Sequence, residues 1–134
     1  MKSHPLHRGK ILIVEGDPIF CDLLVRLLSE DYDVETASNG QDAVAGLMPG
    51  YYDAVLIDLE TAEASGGQVA RAMKWIDLPL VAVLIAESEL PETDSRLNDF
   101  DFQIQKPFRN PTTVSEIVAL AMQTHETRAI AMYS

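Results

Sequence analysis

The sequence predicts a doubly wound α/β domain, a five-stranded parallel sheet with helices on both faces. Three observations carry this. Continuous apolar runs, Ile11 to Val14, Ala54 to Ile57 and Leu80 to Ile85, read as strands buried on both faces, since a strand with one wet face would alternate. Stretches with apolar residues at helical spacing lie between the strands, and strands joined by helices run parallel with right-handed crossovers. The third observation is Asp58, which ends the run Ala54-Val55-Leu56-Ile57. A lone buried carboxylate is costly, so Asp58 belongs at the strand's carboxyl end, where ligands gather in open parallel sheets.

Size and composition agree. The chain has 134 residues, enough for one domain with a core that needs no disulfide or metal staple. Cys21 is the single cysteine, which points to a reducing compartment. No apolar run approaches a membrane span, and Met1 to Arg8 has no signal-peptide core, so a cytoplasmic protein without membrane contact is expected. The net charge of −11 and pI near 4.5 argue against direct nucleic-acid binding and permit a basic protein partner.

Residues 1–9 read as a flexible tail, residues 10–127 as the domain and 128–134 as a C-terminal tail. His4 and His7 make at best a weak two-ligand metal site in the first tail. Lys10 to Val14 is the first strand. Asp17 then caps a helix with Pro18 at its first position, and Phe20, Leu23, Leu24, Leu27 and Leu28 form its apolar stripe. Cys21 beside the stripe reads as a small half-buried residue. Asp33 to Ala37 alternates briefly and reads as the second strand. Ser38-Asn39-Gly40 starts a helix that buries Ala43, Val44 and Leu47 and stops at Pro49-Gly50.

After the strand ending at Asp58, residues 60–67 read as a loop. Val69, Ala72, Met73 and Ile76 mark a third helix. Leu80 to Ile85 is the fourth strand. Residues 87–101 are acidic and hold a weak helix after Pro91, anchored by Leu97 and Phe100. Phe102 to Ile104 is the fifth strand. Asn110-Pro111 starts a last helix with Val114, Ile117, Val118 and Ala121 on its stripe. His125 is expected near that helix's C-terminus, favoured there by the dipole.

Each strand delivers chemistry to one edge: Glu15 and Asp17 from the first, Asp58 from the third, Glu87 and Ser88 after the fourth, Lys106 from the fifth. Carboxylates beside one lysine suit phosphoryl chemistry with Mg²⁺. Ile-Leu-Ile-Val-Glu-Gly-Asp-Pro, Ala-Ser-Asn-Gly-Gln-Asp-Ala, Tyr-Asp-Ala-Val-Leu-Ile-Asp-Leu and Lys-Pro-Phe, in this order, resemble the receiver domain of two-component response regulators over residues 10 to about 125. The resemblance implies a flavodoxin-like sheet of order 2-1-3-4-5. It implies Asp58 as phosphoacceptor for a histidine kinase or phosphotransfer protein, and Lys106 as a phosphoryl contact. Glu15, Asp58 and the backbone carbonyl of Glu60 would be the Mg²⁺ ligands, and Lys106-Pro107 a cis peptide. Such a domain is no enzyme beyond self-catalysed phosphotransfer and dephosphorylation.

Departures from the family pattern modify the expectation. Gly16 stands where the family's second acid, a direct metal ligand, would be. Asp17 comes one place late and reads as the helix cap, so weak Mg²⁺ binding is expected. Ile85 replaces the family's Thr or Ser and has no hydroxyl to offer a phosphoryl oxygen; Ser88 would substitute only with a shifted loop. Gln103 occupies the aromatic switch position, and Ala62 that of a proline. Two readings follow: a stand-alone receiver phosphorylated on Asp58, or a phosphorylation-independent pseudo-receiver that acts as an interaction module. A downstream protein partner would dock on the 87–125 region. A flavin-binding alternative fails because Glu15 and Asp17 would repel the cofactor phosphate.

Overall fold

The computed structural model describes residues 8–60, 66–106 and 110–133. The elements in chain order are β1 (Lys10–Val14), α1 (Pro18–Leu28), β2 (Asp33–Ala37), α2 (Gly40–Ala45), β3 (Ala54–Asp58), α3 (Gly66–Ile76), β4 (Val81–Ala86), a 3-10 turn (Ser95–Leu97), β5 (Phe102–Gln105) and α4 (Pro111–Tyr133). The five strands form one sheet of order β2-β1-β3-β4-β5, and all their pairings are parallel. This is the flavodoxin-like arrangement expected from the sequence.

The period of two in the central strands divides the core into layers. Ile11, Ile13, Leu56, Val83 and Ile85 pack with Leu24 and Leu28 of α1 and Val114, Val118 and Ala121 of α4. Leu12, Val14, Val55 and Ile57 pack with Ala43 of α2 and Val69 and Met73 of α3. Both faces of β1, β3 and β4 are thus covered, which is why those strands are continuously apolar. Gly40 belongs to this packing: a Cβ there would lie 2.2 Å from a methyl of Val69.

Helix starts follow the local chemistry. Asp17 caps α1 by accepting from the Ile19 amide at 2.9 Å, and Asn39 caps α2 by accepting from the Asp42 amide at 2.8 Å. Two helical stripes are narrower than expected. Leu23 of α1 and Ile76 of α3 are exposed, whereas Ala70 is buried.

The weak helix expected after Pro91 is corrected to the single 3-10 turn. Asp94 turns its carboxylate back on the Arg96 amide at 2.9 Å, the side-chain-to-backbone bond that competes with helix. Gln103 grips Leu90 from both sides, accepting from its amide and donating to its carbonyl, each at 3.0 Å. Leu97 and Phe100 do anchor the segment, against buried Leu84, Ala86 and Leu90.

The acids of this region are less unbalanced than the sequence suggests. Asp99 pairs with Arg71 of α3 at 3.2 Å. Asp101 pairs with Lys74 at 2.8 Å and Arg128 at 2.6 Å. The contact with Arg128 accompanies a last helix that runs to Tyr133, through residues read as a tail. His125 therefore lies inside α4, not near its end. Its Nδ1 is 3.2 Å from Asp53 Oδ1, so that carboxylate replaces the helix dipole as its partner.

Candidate functional site

The parallel ladder brings three strand ends together. The Glu15 amide continues the β1–β2 ladder to the Ala37 carbonyl, the Leu59 amide reaches Ile85, and the Lys106 amide donates to Ala86 at 2.8 Å. Register places Asp58 opposite Ile85. Lys106 consequently points back across the sheet edge. Its Nζ lies 2.5 Å from Asp58 Oδ2 and 2.7 Å from Glu15 Oε1, and 4.2 Å from the Phe20 ring centroid. Glu15 is 4% exposed and Lys106 7%, so this is a buried triad of two carboxylates and one ammonium.

One ammonium cannot serve two buried carboxylates equally. Asp58 Oδ1 accepts from the Glu60 amide at 2.7 Å while Oδ2 holds Nζ. Burial pushes the Asp58 carboxyl up, but the Lys106 ammonium and the Glu60 amide outweigh it and hold the carboxyl below its ordinary range. Glu15 is the disfavoured member. Its Oε2 accepts from the Asp17 amide at 3.1 Å, but Oε1 meets Nζ by distance without an aligned hydrogen bond. Burial, aided by the Asp58 charge, raises the Glu15 carboxyl despite the nearby ammonium. Burial alone would lower the Lys106 ammonium; its two carboxylate partners win and raise it. The resting site thus presents Asp58 as an ionised, cation-paired carboxylate.

The signs make a pH prediction. A raised carboxyl favours folding most below its ordinary value and loses that contribution as pH rises through the raised one; a lowered carboxyl does the reverse. Glu15→Gln removes the first term and leaves the second. Urea unfolding between about pH 4.5 and 7 should show the variant gaining on the parent as pH rises. Parallel curves would mean that Glu15 does not titrate with a raised value.

A cavity of about 510 Å³ opens over the triad, lined among others by Gly16, Asp17, Glu60, Glu87, Ser88 and Arg96. Gly16 brings no side chain to it, and the Asp17 carboxylate is committed to capping α1. Ile85 is fully buried in the core, so no hydroxyl stands at that position. Ser88 lines the cavity. Gln103 is spent on the Leu90 backbone. For Mg²⁺ the carboxylate donors are Glu15 and Asp58, both already facing an ammonium, and no group of three His, Cys, Asp or Glu able to hold a metal occurs among the described residues. The donor set fits the ion only in part. Ala62, Pro107, His4 and His7 lie outside the described residues.

Sequence reasoning missed two members of the site. Phe20 reads as core by spacing, yet its ring lies under the ammonium. Arg96 stands inside the acidic run of residues 87–101, where nothing in the sequence marks it, yet it lines the cavity. Among the described residues, no helix is long and apolar enough to cross a membrane.

Comparison with known proteins agrees with this fold. Residues 11–119 match the response regulator receiver domain family. The transcriptional regulatory protein SrrA of Staphylococcus aureus is 33% identical over 124 residues, which cover 89% of this chain and 50% of SrrA. The chain therefore spans about half the length of the curated relatives it matches. The response regulator TrrA of Thermotoga maritima, solved with Mg²⁺ and beryllofluoride, is 28% identical with a TM-score of 0.75, covering 84% of this chain and 98% of TrrA. TrrA has also been solved in complex with the histidine kinase ThkA, a match with a TM-score of 0.74 at 28% identity, covering 85% of this chain and 98% of that one. A CheY-like receiver domain from Methanospirillum hungatei shares the fold at a TM-score of 0.80 and 22% identity, over 90% of this chain and 98% of that one.

Proposed function

The chain belongs to the response regulator receiver domain family, and we propose that it works as a phosphorelay receiver in which Asp58 accepts the phosphoryl group. The observation that carries this reading is the Asp58–Lys106 pair at the sheet's carboxyl edge, beneath an open cavity. The donor is a phosphohistidine of a histidine kinase or phosphotransfer protein, as the kinase complex of a relative suggests. A carboxylate oxygen of Asp58 attacks phosphorus, the P–N bond breaks as the O–P bond forms, and the leaving imidazole takes up a proton. Asp58 enters as the anion, because its carboxyl is held below the ordinary range. Lys106 offsets the charge gained by the phosphoryl oxygens.

Mg²⁺, when bound, would add charge neutralisation at those oxygens. Glu15, Asp58 and the Glu60 carbonyl would hold it. We read the site as weak because Gly16 contributes no carboxylate and the Lys106 ammonium already lies against both acids. Output passes through protein contact on the 87–125 region, where Glu87, Glu89 and Glu92 are exposed. A basic partner drawn by that charge would associate more slowly as salt rises.

A second reading has one observation in its favour. Lys106 spans Glu15 and Asp58 at rest, and Gln103 ties the segment after β4 to β5. A site so neutralised and fastened suits a scaffold that never switches. Incubation with Mg²⁺ and acetyl phosphate, followed by intact-mass measurement, separates the two. The parent should gain one phosphoryl group and Asp58→Asn none. No gain in the parent at millimolar Mg²⁺, with acetyl phosphate or a phosphorylated histidine donor, would leave the scaffold as the function.

A further inference from the structure

We propose that Arg96 is a second cationic contact for the phosphoryl group on Asp58, exchanging its grip on Asp94 for the phosphoryl oxygens. The inference rests on the reading of Asp58 as phosphoacceptor. It begins from charge. Among the described residues, the cavity is lined by five acids, Glu15, Asp17, Asp58, Glu60 and Glu87, against two cations, Lys106 and Arg96. Phosphorylation turns the single charge of Asp58 into about two. Lys106 is already shared between two carboxylates. Ile85 supplies no hydroxyl and Gly16 no metal-binding carboxylate. The added charge needs another partner, and among the described residues Arg96 is a second cation lining the same cavity.

The backbone sets Arg96 there. Asp94 caps the 3-10 turn through the Arg96 amide, and the turn lies against the start of α3, where a Cβ on Gly67 would be 3.8 Å from the Arg96 carbonyl oxygen. A regular helix in this segment would carry the residue elsewhere. At rest the guanidinium holds Asp94 through Nη2 at 2.6 Å and Nε at 3.0 Å. That pair is open on the Arg96 side, with 56% of the Arg96 and 18% of the Asp94 side chain exposed to solvent, so a phosphoryl group carrying about two charges can compete for the guanidinium. A guanidinium fork matches phosphoryl oxygens at least as well as a carboxylate. Asp94 therefore keeps Arg96 oriented at the rim without holding it irreversibly.

Beryllofluoride with Mg²⁺, titrated while amide NMR shifts around Asp58 are followed, tests the assignment on the full chain. Arg96→Ala should bind about tenfold more weakly than the parent, the loss typical of one charge-assisted hydrogen-bonded contact. Asp94→Ala, which frees the guanidinium, should bind more tightly. Ile85→Thr should restore much of the binding lost in Arg96→Ala, because a hydroxyl then serves the same oxygens. A role confined to stapling the turn would make Arg96→Ala and Asp94→Ala alike, and that result overturns the inference. So does equal binding by Arg96→Ala and the parent, which leaves the phosphoacceptor reading standing. No response in the parent, or a response that survives in Asp58→Asn, overturns both. If Arg96→Ala does not fold, Arg96→Lys carries the comparison and should bind with intermediate strength.

Discussion

Lys106→Met is expected to destabilise the domain by about 3–5 kcal/mol near neutral pH, the usual cost of leaving a buried charge without its partner. Methionine keeps an apolar stem over the Phe20 ring, so packing changes little and the loss isolates the charge. Without the ammonium, Glu15 and Asp58 face each other in a site where their side chains are 2% and 15% exposed. Both carboxyls then titrate upward, Asp58 because its main stabiliser is gone and Glu15 because its partner charge is gone. Raised carboxyls favour folding below their ordinary values, so the variant should recover stability as pH falls toward the acid range. Urea unfolding across pH checks both the size and the slope. Adding Glu15→Gln to Lys106→Met should return a large part of the loss, since one charge no longer needs a counterion. A loss under about 1 kcal/mol, the range of surface pairs, would show that the triad is solvated rather than buried.

The sheet and the acid–amine pair were legible in the sequence because they rest on local signals. An apolar run that stops on Asp58 has one sensible place for that carboxylate, and Asp17 followed by Pro18 announces a cap. Lys106 follows the short fifth strand, so parallel register alone carries it to the same edge as Asp58. What was not legible depends on contacts distant in sequence. Leu97 and Phe100 suit a helix by spacing, yet Gln103 on β5 captures the Leu90 backbone, and Asp94 captures the Arg96 amide, before a helix can form. α4 continues past residue 127 with Arg128 reaching Asp101, just before β5. His125 takes its partner from Asp53, just before β3. None of these partners is visible from periodicity.

Gly16→Asp should raise Mg²⁺ affinity roughly tenfold to a hundredfold, because a carboxylate about 5 Å from a divalent ion gains about 6–7 kcal/mol at an effective dielectric near 20, most of it offset by the cost of stripping water. The backbone admits the change. Gly16 is not in the left-handed region, and a Cβ built on it meets only the Ser38 carbonyl oxygen at 3.5 Å, an ordinary contact. The new side chain would enter the cavity that already holds Asp58 and the Glu60 backbone. Asp17 cannot supply the same donor in the parent, because its carboxylate satisfies the amino end of α1 and releasing it would expose an unpaired Ile19 amide. Titration of Mg²⁺ by calorimetry or by amide shifts measures the gain. Asp17→Asn serves as a control: asparagine caps nearly as well, so its affinity should stay close to the parent's. Equal affinity in Gly16→Asp and the parent would place residue 16 away from the ion and remove Gly16 as a reason to expect a weak site.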